Sequence, residues 1–418
     1  MPGTSWRALL LIVTPVIVMT TLAVLVFVLV LNTASSTERL DLIRTALAVG
    51  AGTGAVMTLV LAWRRQWATE HDAAERRLTE LYMKAVEQLG SDKPAVRHGA
   101  MYALERVAQD NPDHRQTVVN VICAYLRAPF TPPPDKTGVR KPRGLSGSLR
   151  ATPARRVAAT AAAARRAATT PPPIAAVRDE DRRQEREVRL TAQRILTRHL
   201  RPGDPLRRPA RSFWDDIDLD LKSALLIDFD LGGCKARTTR FDGATFNGNT
   251  YFRGATFWTT SFSDATFTGT TSFSDATFIK SAWLNGATFI DYAWFNGATF
   301  IGDVWFGDAT FTGDVWFGDA TFTGDVWFGD ATFTGDVWFS GATFTGAARF
   351  SGATFTRNAS FRDARFADPP VMSGASMRDQ ERPFHMDWPS GWTTHEVSVG
   401  GGGEEIRLVP VPVVLSAD

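Results

Sequence analysis

The chain has 418 residues, enough for more than one domain, and a formal net charge of +2 that hides an uneven distribution of basic and acidic residues. Its two cysteines, Cys123 and Cys234, make neither a disulfide framework nor a metal-ligand spacing, and point to a reduced compartment. The six histidines are scattered, and no nucleophile elbow, phosphate loop or metal cluster accompanies them, so the sequence speaks against an enzyme and implies no cofactor and no metal.

Residues 1–65 are predicted to hold two transmembrane helices. Ala8–Leu31 is an unbroken apolar run, long enough to span a bilayer and too long for a signal-peptide core. A second apolar stretch, Thr45–Trp63, carries Gly50 and Gly54 at a spacing that lets helices pack closely. Arg7 precedes the first span and Arg64 and Arg65 follow the second, which predicts both termini on the cytoplasmic side.

Residues 66–130 are predicted to form a small HEAT-like helical unit. Its first helix aligns Leu78, Leu81, Tyr82, Ala85 and Leu89, and Gly90-Ser91-Asp92 ends it. The second puts Val96, Ala100, Ala103, Leu104 and Val107 together, and the third Val118, Val119, Ile122 and Leu126. Residues 131–184 are rich in Pro, Ala and Arg and are expected to be a disordered linker. Ten basic residues and no acidic one lie between Lys136 and Arg178, so this linker could contact anionic lipid or nucleic acid, or be a solvated spacer; the spacer is the simplest of the three. A further helix and connection occupy 185–212, with Val188, Ala192, Ile195 and Leu196 on one side.

Residues 213–367 carry the repeat around which the chain is organised. GDVWFGDATFT occurs at 302–312, 313–323 and 324–334, and looser copies extend both ways. One set of Phe residues falls at 278, 289, 300, 311, 322, 333, 344, 355 and 366, and a second set lies between them, so the spacing alternates five and six. Two positions before each is a small or β-branched residue. Placing Trp305, Trp316 and Trp327 inward would instead bury Asp303, Asp314 and Asp325 beside them, which is costly for unpaired charges. Phe is therefore predicted inside and Trp outside. Gly, Asp, Thr, Val and aromatics are strand and turn residues, which excludes an 11-residue coiled coil and predicts a β-solenoid.

Tandem A-x-F/L-x-x units resemble the pentapeptide-repeat proteins. That resemblance implies a right-handed quadrilateral β-helix, about 22 residues per coil and about seven coils here, or about 30–35 Å of rod at about 4.8 Å per coil. The extra residue in alternate units is expected to bulge at two of the four corners. AVEQLGSDKPAVRHGAMYALERVA (85–108) resembles the helical segment that precedes such repeats in bacterial two-span membrane proteins. The fold class read from all this is multi-domain α+β: a transmembrane hairpin, a helical unit and the β-helix, at the bacterial inner membrane. Residues 368–418 are read as a cap, with a hairpin around Gly400–Gly403 covering the unpaired edge of the last coil. His385 and His395 in this tail are read as ordinary surface residues.

The candidate interaction surface is Trp283, Trp294, Trp305, Trp316, Trp327 and Trp338, predicted to form two ladders on opposite sides. Exposed aromatic patches mark contact surfaces, although stacked indoles could also simply cover one another. Asp303, Asp314, Asp325 and Asp336 join this surface at the corners, and residues 281–348 hold no Lys or Arg. The expected function is a membrane-anchored scaffold that binds a protein, with a second copy of the chain among the partners to test. The alternative comes from the resemblance: some pentapeptide-repeat proteins are acidic rods that imitate DNA on gyrase. Nucleic acid itself is not expected as a partner of the rod. A calcium ladder lacks a multi-ligand loop, and Thr310-x-Thr312 resembles ice-binding β-helices only in its spacing.

Overall fold

A computed structural model describes residues 36–133, 174–203, 209–377, 386–399 and 403–410, with Thr21, Leu25 and Val28 before them. The chain divides into two units, residues 1–80 and 81–418. Helix α1 runs without interruption over Ser36–Leu89. Residues 66–89 continue the helix of the second apolar stretch, as expected from the sequence: Arg64-Arg65-Gln66 are good helix formers, and neither Gly nor Pro follows before Leu89 to stop it. The first apolar run, 8–31, lies almost wholly outside the described residues. Among the described residues no helix is long and apolar enough to cross a membrane, and a transmembrane hairpin is not seen.

In the second unit, α2 (Pro94–Asp110), α3 (Arg115–Arg127) and α4 (Ile174–Leu200) pack on one another. Their core is Ala100, Met101, Leu104, Val107, Val118, Val119, Ile122, Val188, Ala192, Ile195 and Leu196. The α2 face is turned from the predicted one: Ala103 is exposed and Met101 and Ala108 are buried, because α2 packs against both α3 and α4. Leu81, assigned to the apolar face of α1, is exposed as well. Helix α4 begins at Ile174, inside the stretch read as linker. Its start follows three prolines, and the salt bridges Asp179–Arg182, Glu180–Arg183 and Glu185–Arg189 line its first turns. The rest of that linker, 134–173, lies outside the described residues.

From Leu219 to Met377 the chain is a β-solenoid of the right-handed type with about seven turns. Its strands pair in parallel with the strand one coil on, so that Thr310 meets Thr332 and Trp316 meets Trp338. Four faces result. Two belong to one sheet, because strands Lys235–Arg240 and Thr256–Ser261 run through the corner between them. The predicted register holds: Phe289, Phe295, Phe300, Phe306 and their copies through Phe361 are buried, as are Ala309, Val315 and their copies. From Phe267 on, rings one coil apart stack face to face wherever both positions are Phe. Phe306 and Phe328 lie 4.7 Å apart at 6°, and Phe317 and Phe339 4.8 Å at 4°. Neighbouring columns meet edge to face, as Phe306 and Phe317 do at 5.6 Å and 86°.

The corners are of two kinds. In Phe306-Gly307-Asp308-Ala309 the Ala309 amide donates to the Phe306 carbonyl at 3.1 Å, and Asp308 takes φ 57°. Asp tolerates this left-handed position better than most residues, which accounts for Asp or Gly at this corner in the later coils; Ser223 holds it in the first, at φ 55°. The other corner, Thr-Gly-Asp, carries the sixth residue. There a Cβ on Gly324 would lie 2.5 Å from the backbone of Gly302 in the coil beneath, so only glycine allows the coils to approach.

Both ends are covered. At the first coil, side chains of the helices replace the missing neighbour strand. The Gln193 amide donates to the Ile227 carbonyl at 2.7 Å and accepts from its amide at 3.0 Å. Gln116 does the same with Asp218, at 2.9 and 2.8 Å. Arg127, Thr197 and Arg201 donate to the carbonyls of Asp220, Asp230 and Gly232. At the other end strands Trp392–Val399 and Gly403–Pro410 form the predicted hairpin, and the latter pairs antiparallel with Ser376–Met377. Trp388 closes the Phe columns, 5.5 Å from Phe355 and 6.0 Å from Phe361.

Candidate functional site

Each Trp follows the inward Ala or Val of its strand, so the alternation of a strand turns it outward. Successive coils then place Trp283, Trp305 and Trp327 in one column and Trp294, Trp316 and Trp338 in another. A Thr-Phe face separates the two columns in each direction around the coil, so they stand on opposite faces. Centroid distances are 5.4 and 4.9 Å in the first column, with planes within 4°. In the second, Trp316 and Trp338 are 4.9 Å apart at 9°, whereas Trp294 is tilted 42° from Trp316 and lies beside Tyr292. All six indoles are half-buried, each covering part of the next.

The four aspartates of the candidate surface have a structural task. One oxygen of Asp303 accepts from the Asp325 amide at 3.0 Å, and Asp314 from that of Asp336 at 2.9 Å. Asp325 and Asp336 accept likewise from Ala347 and Asn358. Each carboxylate thus ties its coil to the next at the corner with the extra residue. Asp308, Asp319 and Asp330, at the other corners, are exposed and leave the rod an acidic edge.

Arg349 ends the first ladder. It occupies the position in register with Trp327, its guanidinium lies 5.1 Å from that ring, and it bonds the second oxygen of Asp325 at 2.8 Å. The Arg349 guanidinium, with the Ala347 amide, holds the Asp325 carboxyl below the usual carboxylate range. Neither Arg349 nor Tyr251 and Tyr292, which extend the second aromatic face, was singled out from the sequence. Arg349 lies 22 residues after Trp327, and that spacing would have found it.

Burial pushes both cysteine thiols up to about 12, and each is free. Among the described residues no group of His, Cys, Asp or Glu is arranged to hold a metal.

Residues 236–277, 258–299, 284–332 and 328–376 match the family model of pentapeptide repeats (9 copies). This stretch of the rod is built of pentapeptide repeats. No curated protein matches the chain. A solved structure of trypsin-treated QnrB1, described as a plasmid-mediated fluoroquinolone resistance protein, matches 37% of this chain and 90% of its own. Identity is 14% and the TM-score 0.13, and a likeness that low carries no argument about this pentapeptide-repeat rod.

Proposed function

We propose that this chain is a non-catalytic scaffold that binds a protein partner along its aromatic ladders, tethered at the inner membrane of a bacterium with both termini cytoplasmic. The observation that carries the reading is the pair of indole columns on opposite faces of a rigid rod. Rigid aromatic side chains bind with little loss of conformational freedom, and they dominate interface energetics. Apolar side chains of α1 such as Leu59, Leu61 and Trp63 are left uncovered, which supports a lipid-facing role for the segment before the rod. The basic residues of the linker would add contact with anionic headgroups.

The test is affinity capture from membranes with tagged full chain, comparing the unaltered protein with Trp305→Ser/Trp316→Ser. A specific partner lost in the variant is the expected result. Capture of the same proteins by both forms would remove the ladders from the reading. Release of the chain by an alkaline carbonate wash would remove the membrane.

A second reading is favoured by one observation, the exposed Asp308, Asp319 and Asp330 on a stretch without Lys or Arg. Such an edge suits a rod that imitates DNA on gyrase. Inhibition of gyrase supercoiling by the full chain at low micromolar concentration would support it, and no inhibition would discard it.

A further inference from the structure

The hairpin that covers the last coil leaves an edge of its own. Strand Gly403–Pro410 pairs with the rod at two positions, Ser376 with Arg407 and Met377 with Ile406, and with Trp392–Val399 at eight. Two long strands thus rest on a short one, and a hairpin supported so little is marginal in water without a further strand. Trp392–Val399 ends its sheet, and among the described residues nothing pairs with its outer side.

The hydrogen-bonding direction of that side follows from one contact. The Leu408 amide donates to the Ala375 carbonyl at 3.0 Å, towards the rod. Backbone groups alternate sides along a strand, so those of Arg407 and Val409 face the outer strand and engage their partners His395 and Thr393. The N–H and C=O groups of Thr394, Glu396 and Ser398 therefore point away from the hairpin. The Trp392 carbonyl does so as well, while its amide donates to Pro389 at 3.2 Å. Natural edge strands are guarded by Lys, Pro or a bulge. Trp392–Val399 contains no Lys, Arg or Pro, and its register with the inner strand runs without a bulge.

This edge complements itself. Antiparallel pairing of two copies about a twofold axis sets one residue opposite its own copy. With His395 on the axis, Thr394 meets the partner's Glu396 and Trp392 meets the partner's Ser398, so every outward residue faces an outward residue. Moving the axis to Glu396 would set two carboxylates opposite each other and leave Trp392 outside the pairing. Moving it to Thr394 would leave Ser398 outside.

We infer that Trp392–Val399 is a dimerisation edge, to which a second copy of this chain adds its own Trp392–Val399 antiparallel, with His395 on the twofold axis. The two hairpins then form one continuous sheet. This inference does not depend on the ladders binding a partner.

Cysteine cross-linking in the full chain tests the register, since Cys123 and Cys234 are buried and stay in place. His395→Cys should give a disulfide-linked dimer on mild oxidation. Residues facing across a non-hydrogen-bonded pair have Cα atoms about 4.5 Å apart, within disulfide reach. Thr393→Cys should not, because Thr393 faces the partner's Val397 and the two copies of residue 393 lie about 14 Å apart. Glu396→Pro removes an outward N–H and spares the ladder within the hairpin. It should weaken the dimer roughly tenfold or more in sedimentation equilibrium, the loss expected from breaking a few backbone hydrogen bonds. Unchanged strand content by circular dichroism shows that this variant folds, and the cysteine pair decides the register without it. A full chain that stays monomeric at micromolar concentration overturns the inference. So does a dimer as tight in Glu396→Pro as in the unaltered protein, or cross-linking as efficient at 393 as at 395.

Discussion

Single residues carry the coil-to-coil fit. Gly324 is needed because the backbone of the preceding coil passes where its side chain would be. Gly324→Ala should therefore destabilise the rod by about 1–3 kcal/mol, the usual penalty for forcing atoms into filled space, read as a lower denaturation midpoint. Asp325 is held ionised by Arg349 and the Ala347 amide, so its pKa is depressed in the folded chain. A depressed carboxylate contributes stability above its unfolded value, near 3.8, and loses it as pH falls through the folded value. The Tm difference between the unaltered protein and Asp325→Asn should accordingly be present at pH 7 and shrink towards pH 3. Because Asp325 and Arg349 are partly exposed, the difference will be small. These aspartates were read from the sequence as surface for a partner. A coil of about 22 residues was expected, but that each carboxylate turns back onto the amide 22 residues on depends on the geometry of the corner.

At the scale of the element, the helices matter most at the open end of the first coil. A solenoid end exposes unpaired strand groups. Gln193 alone satisfies both backbone groups of buried Ile227. Gln193→Ala leaves an amide and a carbonyl without partners, and each such group costs about 1–3 kcal/mol. Hydrogen exchange should quicken in residues 219–231 and stay unchanged around Phe317 and Phe339. Uniform quickening throughout the rod would mean that the cap and the coils unfold as one. The sequence showed Val188, Ala192, Ile195 and Leu196 as one apolar side of α4 and left Gln193 unexplained. An amide between apolar neighbours reads as a solvent position until the strand it caps is in place.

For the whole molecule the eleven-residue unit is the natural quantum of length. It spans two faces, so removing 313–323 brings identical sequence together: Phe still stacks on Phe and Trp on Trp. Repeat arrays depend on such nearest-neighbour interfaces. That deletion should keep a cooperative melt and the strand content of the parent. Removing only 312–317 shifts all later coils by one face. Thr would then lie over Trp and the Gly corners over the Asp turns, and the melt should broaden and fall by many degrees. Circular dichroism on both deletions decides this, and equal tolerance would mean that the faces are interchangeable.

The rod was legible in the sequence because its repeat is local: Phe spacing, the small residue before it, and Gly or Asp at the turns state the inside, the outside and the corners without reference to distant parts. The terminal hairpin was legible for the same reason, from its glycines and its place after the last repeat. Tertiary structure alone decided the rest. It brought α4 beside α2 and α3 despite the long segment between them, and bound the candidate aspartates to neighbouring coils. Those features depend on which residues meet across coils or between separate elements, and sequence spacing records that only after the pitch and the packing are known.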